Sequence, residues 1–121
     1  MATATSAPQS DPGLIYRRVV EDVRRALTLS EIGMVTAVSE RSVQNWARGT
    51  TRPDPAPRDR LLELKYVIEE LSDVYTDEGI DIWLHSPQRA FDSRTALELL
   101  KGGEFERVLL VIEQLSGGPK G

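Results

Sequence analysis

The sequence predicts an all-α protein. Apolar residues recur at spacings of three and four along successive segments, and no segment alternates convincingly as a strand would. Capping residues open these segments, and glycine or proline follows several of them. We expect an N-terminal helix-turn-helix bundle at residues 14–58 and a small helical domain at 59–116, flanked by a disordered tail at 1–13 and a loose tail at 117–121.

Composition excludes several classes of protein. The chain has 121 residues, of which 40% are hydrophobic and 28% charged, with one histidine and no cysteine. A core can therefore form, but disulfides and thiolate metal sites cannot. No apolar run is long enough for a signal peptide or a membrane span. We expect a cytoplasmic protein without membrane association.

Charge is unevenly distributed between the two halves. Residues 14–65 contain ten basic and seven acidic side chains, a net charge of +3, whereas residues 66–121 contain five basic and eleven acidic ones, a net charge of −6. The front half could approach phosphates, which would repel the rear half. The rear half therefore requires another role.

Residues 14–27 predict the first helix. Leu14 or Ile15, with Val19, Val23 and Leu27, would face the core. The arginines would face outward at positions 17, 18, 24 and 25, where they either contact phosphates or form a solvated surface.

The segment from Thr28 to Pro53 predicts the helix-turn-helix. Thr28 and Glu31 have the spacing of a capping box, so the first helix spans Leu29 to Ala37. The small side chains of Gly33 and Ala37 would let a second helix approach. Ser39 would cap that helix, which ends at Arg48 because Gly49 follows.

The second helix of this pair has two distinct faces. Val43, Trp46 and Ala47 fall on one side, where Trp46 fits a core better than a base-stacking position. The other side offers side chains suited to base edges in the major groove. A surface amphipathic helix is the alternative interpretation. With one arginine from the following connection, the predicted DNA-binding residues are Arg41, Ser42, Gln44, Asn45, Arg48 and Arg52.

The prolines at positions 53, 55 and 57 predict a stiff extended connection. A helix from Asp59 to about Tyr75 follows, and its broad apolar stripe implies burial on more than one side. That burial is either between the two halves or against a second subunit. The carboxylates at 69, 70 and 73 could suggest a metal, but such clusters on a helix face are usually solvated.

Three further helices complete the prediction. They span Thr76–Leu84, Thr95–Lys101 and Glu104–Ser116, and Thr95 with Glu98 forms a second capping-box pattern. A turn around Pro87 separates the first two. His85 lies before this turn without the partners of a catalytic triad, so we expect a surface or capping role, no enzymatic activity and no cofactor or metal.

The rear half resembles a specific family. Its motifs are Ile82-Trp83-Leu84-His85-Ser86-Pro87, then Ala96-Leu97-Glu98-Leu99-Leu100, then Gly103-Glu104-Phe105-Glu106-Arg107-Val108. They are similar to the Trp-Leu-x-x-Pro, Pro-x-x-Leu-Leu and Gly-x-x-x-x-Val elements of the Xre/MbcA/ParS antitoxins. Many members carry Leu-Gly-Gly where this chain has residues 89–93, and a proline where it has Ala96.

The resemblance implies a type II antitoxin. Its C-terminal half would neutralise a cognate toxin, often an NAD-degrading RES-domain protein and sometimes an ADP-ribosyltransferase, and its helix-turn-helix would repress its own operon. Because one recognition helix reads only a few base pairs, we also expect a homodimer on the operator DNA. We expect the toxin to contact Trp83, Pro87, Arg89, Phe91 and the C-terminal tail, although each of the two aromatic residues fits a core better than a contact position. The alternatives are a stand-alone repressor of a mobile element or prophage, and a protein-binding module that has lost DNA binding.

Overall fold

The computed structural model describes residues 12–117. Of the tails predicted at 1–13 and 117–121, residues 1–11 and 118–121 therefore lie outside the described residues. Within the described range the chain is all-α, as predicted, apart from one short hairpin. Its helices are α1 (Pro12–Val23), α2 (Leu29–Thr36), α3 (Glu40–Arg48), α4 (Pro55–Ser72), α5 (Asp77–His85), α6 (Ala96–Lys101) and α7 (Phe105–Leu115).

Helix α1 differs from its prediction at both ends. It begins at Pro12, which the sequence assigned to the tail, and ends at Val23 rather than Leu27. Leu14 and Ile15 are both about half exposed, so the expectation that one of them faces the core is wrong. The buried side chains of this segment are Val19, Val20, Val23, Ala26 and Leu27.

Capping chemistry sets the start of α2 as predicted. The Thr28 hydroxyl accepts the Glu31 N–H, and the Glu31 carboxylate accepts the Thr28 N–H. The helix ends one residue early, because Ala37 adopts a left-handed conformation with φ 65°. Ala37 therefore terminates α2 instead of lying on its packing face.

The proline-rich connection is shorter than predicted, and the prediction of extended chain is wrong for Pro55 and Pro57, which lie in a helix. Helix α4 already begins at Pro55, with Asp54 as its cap. Proline is compatible with the first turn, since the N–H groups there have no intrahelical partner in any case. The boundary expected after residue 58 consequently falls inside α4, and the division into two domains stays a prediction.

Helix α4 lies at the centre of the fold. It packs against α1 and α2 on one side and against α5 and α7 on the other, which accounts for its broad apolar stripe. One hydrophobic core, to which both halves contribute, includes Leu61, Leu64, Val67, Ile68 and Leu71 from this helix. Arg60 adds a polar link, because its Nη1 donates to the carbonyl oxygen of Val35 at 3.0 Å near the end of α2.

A small hairpin connects α5 to α6. Strands β1 (Pro87–Gln88) and β2 (Arg94–Thr95) are antiparallel, with Pro87 opposite Thr95, and a 3₁₀ turn at Arg89–Phe91 lies between them. The predicted turn is therefore more ordered than the sequence indicated. The capping box of Thr95 and Glu98 then opens α6, as predicted. On α7, Leu115 is exposed.

Candidate functional sites

Local chemistry fixes both ends of α3. The Ser39 hydroxyl accepts the N–H of Ser42 at 3.1 Å and caps the helix. At the other end Gly49 has φ 78°, and Thr50 donates its N–H to the carbonyl oxygen of Asn45 at 3.0 Å. These bonds satisfy backbone groups that a helix end leaves unpaired. The second helix of the predicted motif thus has the expected bounds.

The rear face of α3 is anchored in the core. Val43 and Trp46 are buried, so Trp46 is a packing residue. The turn from α2 also requires Gly33, because a Cβ there would lie 2.8 Å from the carbonyl oxygen of Val38. A close approach at Gly33 was predicted, and in the structure the backbone of the turn is what lies close to it.

The front face of α3, together with Arg52 from the connection after it, is available to a partner. Arg41, Arg48 and Arg52 are exposed, while Ser42, Gln44 and Asn45 are half-buried. Within residues 12–117, Ser42 alone among these six has a side-chain hydrogen bond, to the Ser39 hydroxyl at 3.1 Å. Ser42, Asn45 and Arg52 line one cleft of about 200 Å³, and the other three lie outside it. Unpaired guanidinium and amide groups of this kind can bind phosphates and base edges.

The four residues expected to contact a toxin separate into two pairs. Phe91 is 0% exposed and Trp83 is 9% exposed, and their rings meet edge to face with centroids 6.1 Å apart. The Arg107 guanidinium lies 6.0 Å from the Phe91 centroid. Pro87 and Arg89 are exposed. The aromatic pair therefore supports the hairpin, which presents Pro87 and Arg89 to solvent.

The hairpin turn has an unusual backbone. Asp92 and Ser93 both adopt left-handed conformations, with φ 57° and 69°. Glycine adopts these φ values without steric cost, whereas a residue with a Cβ incurs one. A Leu-Gly-Gly sequence would suit Phe91-Asp92-Ser93 for this reason. Arg107 holds the turn by donating to the Ala90 carbonyl oxygen and to Asp92, at 3.1 and 3.0 Å.

His85 joins the two halves, which the sequence analysis did not foresee. Its Nε2 lies 2.7 Å from Oε2 of Glu31, and its Nδ1 lies 2.7 Å from the carbonyl oxygen of Asp81 and 3.0 Å from that residue's carboxylate. The bond to the Asp81 carbonyl, followed by that to Glu31, raises the pKa of His85. Partial burial acts to raise the pKa of Glu31, but the Thr28 N–H and His85 outweigh it and lower that pKa.

A cleft of about 490 Å³ surrounds this histidine. Across it, Nη2 of Arg25 lies 2.6 Å from Oδ1 of Asp77, and this pairing lowers the pKa of Asp77. Both links join segments that are more than fifty residues apart in the chain. Local periodicity carries no signal for such pairs, so only the fold reveals them.

Among residues 12–117, no group of three or more histidine and carboxylate side chains is arranged to hold a metal ion. None of the helices in that range combines the length and apolar character needed to span a bilayer.

Comparisons with known proteins agree with the family motifs, although no family model matches the chain. The mycobacterial cidal antitoxin MbcA of Mycobacterium tuberculosis and of Mycobacterium bovis is 35% identical over 95 residues, which cover 78% of this chain and 84% of MbcA. A probable mycobacterial cidal antitoxin of M. tuberculosis is 33% identical over 92 residues, which cover 76% of this chain and 78% of that antitoxin.

The fold has a counterpart of known structure. A chain in the crystal structure of the M. tuberculosis MbcT–MbcA toxin–antitoxin complex matches with a TM-score of 0.76 at 31% identity. The match covers 89% of this chain and 98% of that chain. Because the sequence relatives and the fold agree over most of its length, the chain belongs to the MbcA family of antitoxins.

Proposed function

We propose that this chain is the antitoxin of a type II toxin–antitoxin system. The observation that carries the proposal is the match to nearly the whole of a chain from a solved toxin–antitoxin complex. The acidic C-terminal half, residues 59–116, binds and neutralises a cognate toxin of the NAD-degrading RES type. The chain acts by binding rather than by catalysis, and its compartment is the cytoplasm.

The hairpin is part of the proposed toxin contact. Pro87 and Arg89 project from it, while Trp83 and Phe91 hold its shape from beneath. A guanidinium that is exposed and not bound to another described residue can pair with a carboxylate of the partner. This assignment gives Pro87 and Arg89 the direct contacts and the two aromatic residues a supporting role.

Coexpression tests the antitoxin role. The gene adjacent to that of this chain is induced alone and together with it, while growth and cellular NAD are followed. We expect growth arrest with loss of NAD in the first case and rescue in the second, with the two proteins copurifying. A neighbour that is harmless, or whose toxicity this chain leaves unchanged, contradicts the proposal.

We also propose that α3 binds operator DNA and represses the chain's own operon. The free cationic and amide side chains on the front of α3 support this assignment, and so does the positive net charge of residues 14–65. Two-fold pairing would double the short site that one helix reads, so we expect a homodimer. Light scattering measures the dimer, and a salt-sensitive shift of the upstream DNA measures binding.

The second candidate is a stand-alone repressor. The same unpaired face of α3 supports it, because DNA binding through that face needs no toxin. Operator binding without any rescue of a toxic neighbour would favour this candidate over the antitoxin.

A further inference from the structure

Helices α4 and α7 form a groove with an apolar floor on the surface of the C-terminal half. Tyr66, Leu109 and Leu110 line it, and its volume is about 250 Å³. Tyr66 is 51% exposed and Leu110 is 58% exposed, and Leu62 continues the apolar strip one turn earlier on α4. The volume is below the range of small-molecule pockets, which indicates a place for the side chains of a protein partner.

Carboxylates rim this groove. Glu70 lies on α4, and Glu106 and Glu113 lie on α7. Within residues 12–117, none of these three carboxylates has a side-chain hydrogen bond or an ion pair. The rim therefore presents unneutralised negative charge around an apolar floor.

The cations of these two helices are already engaged. Arg107, the basic residue of α7, binds Asp92 and lies 3.8 Å from Glu104. The basic residues of α4 also have partners within the chain. Arg58 pairs with Asp59, Lys65 pairs with Glu69, and Arg60 donates to the carbonyl oxygen of Val35. No basic side chain of α4 or α7 is thus left to balance the rim.

We infer that this groove docks a segment of the toxin in which apolar side chains are flanked by lysine or arginine. The inference rests on the proposed function. Charge complementarity selects this occupant, because cations of the partner would meet Glu70, Glu106 and Glu113. A second copy paired symmetrically through the groove would instead place these carboxylates against their own equivalents. The groove is separate from Pro87 and Arg89, so it adds a second contact surface to the hairpin.

Single-cysteine labelling locates the contact, since the chain has no native cysteine. Leu110→Cys reports on the groove, and Ile82→Cys, at a residue 59% exposed on α5, is the control. Each is treated with a maleimide, alone and with the purified neighbouring gene product. We expect labelling at position 110 to slow about tenfold in the complex, as for a residue at the desolvated centre of an interface, and labelling at position 82 to stay within about twofold.

Affinity measurements test the chemistry of the groove. Tyr66→Ala combined with Leu110→Ala should weaken binding about tenfold or more, because exposed anchors of this kind dominate an interface. Glu106→Gln combined with Glu113→Gln should weaken binding several-fold at low salt and much less at high salt. Glu78→Gln, an exposed carboxylate on α5, is the matched control and should leave the affinity unchanged.

The outcomes separate the inference from the proposed function. If the neighbouring product binds but position 110 labels at its free rate, or the groove variants bind normally, the inference is overturned and the antitoxin role stands. If labelling at position 110 slows as the free protein is concentrated, a second copy occupies the groove and the inference also fails. A neighbour that does not bind at all overturns both.

Discussion

Glu31 and His85 link the first turn of α2 to the last turn of α5. Glu31 divides its carboxylate between two partners: Oε1 accepts the Thr28 N–H at 2.9 Å, and Oε2 lies 2.7 Å from Nε2 of His85. Each ring nitrogen of His85 faces an acceptor, so the doubly protonated imidazolium satisfies both contacts and the neutral ring only one. One residue pair thereby couples α2 to the C-terminal half through a titratable contact.

The first prediction concerns the pH dependence of stability. Because the pKa of His85 is raised in the folded state, the stability that it contributes is complete below the unfolded pKa near 6.5 and is lost as pH rises through the folded pKa. The pKa of folded Glu31 is lowered, so its contribution is present above the unfolded value near 4.5 and is lost as pH falls through the folded pKa. The pair is therefore most stabilising between these two values.

Urea unfolding across pH 4 to 9 measures this effect. We expect His85→Gln to lower the free energy of unfolding by less than about 1 kcal/mol near pH 5.5, since the contact is partly exposed and screened. Near pH 9 the substitution should change it by almost nothing. Glu31→Gln keeps the capping bond while removing the charge, so it should flatten the same profile. A wild-type profile that runs parallel to that of His85→Gln would contradict the assignment.

The second prediction concerns Gly33. A methyl group there would meet the Val38 carbonyl oxygen, which is backbone and cannot rotate away. Gly33→Ala should lower the free energy of unfolding by about 1–3 kcal/mol through overpacking. Gly102→Ala is the control, because its new Cβ would meet atoms no closer than 3.5 Å at a φ of −85°. Equal stability of the two variants would show that the turn can shift at little cost.

Local signals in the sequence were sufficient for most helix ends. Both capping boxes, the Ser39 cap and the Gly49 stop are each encoded within a few residues, and all are present in the structure. The prediction from the prolines was wrong because proline fits both an extended chain and the first turn of a helix. What decides between these is the packing of α4 in the core, which sequence periodicity does not report.

The candidate site was predictable only in part. The amphipathic pattern identified the exposed side of α3. The sequence also favoured packing over contact for Trp83 and Phe91, and both are buried, yet it gave no way to tell that they support a hairpin. Neither the His85 link nor the groove between α4 and α7 could be foreseen, because each joins segments far apart in the chain.

The third prediction uses the left-handed residues. Ala37 and Ser93 adopt positive φ without being glycine. Ala37→Gly and Ser93→Gly should each stabilise the protein by up to about 1 kcal/mol, because glycine removes the Cβ clash of this conformation. Ala56→Gly, in the ordinary helical backbone of α4, should destabilise it by about 0.5–1 kcal/mol. Thermal melts compare the three, and a loss of stability at position 37 or 93 would refute the strain argument.

The fourth prediction separates support from contact in the hairpin. Phe91→Ala would leave a cavity beneath Trp83 and should cost about 3–5 kcal/mol of folding free energy. Arg89→Ala, at an exposed position, should change stability by less than about 0.5 kcal/mol. Denaturant unfolding measures both. A Phe91→Ala variant as stable as Arg89→Ala would mean that the ring does not hold the hairpin.

The last prediction assigns different roles to two residues of the proposed DNA-binding surface. Asn45 lies on α3, where its amide can read a base edge, so Asn45→Ala should cost about 1–3 kcal/mol on the operator and relax sequence preference. Arg52 lies beyond the helix, where a phosphate contact is expected. Arg52→Ala should weaken binding to all sequences alike and reduce the slope of log K against log salt by about 1.

Arg89→Ala, at an exposed arginine in the hairpin, is the control for lost positive charge and should change neither the affinity nor the slope. Titrations of operator and scrambled DNA at several salt concentrations measure both effects. If Asn45→Ala and Arg52→Ala weaken both DNAs equally with the same change of slope, Asn45 makes no base contact.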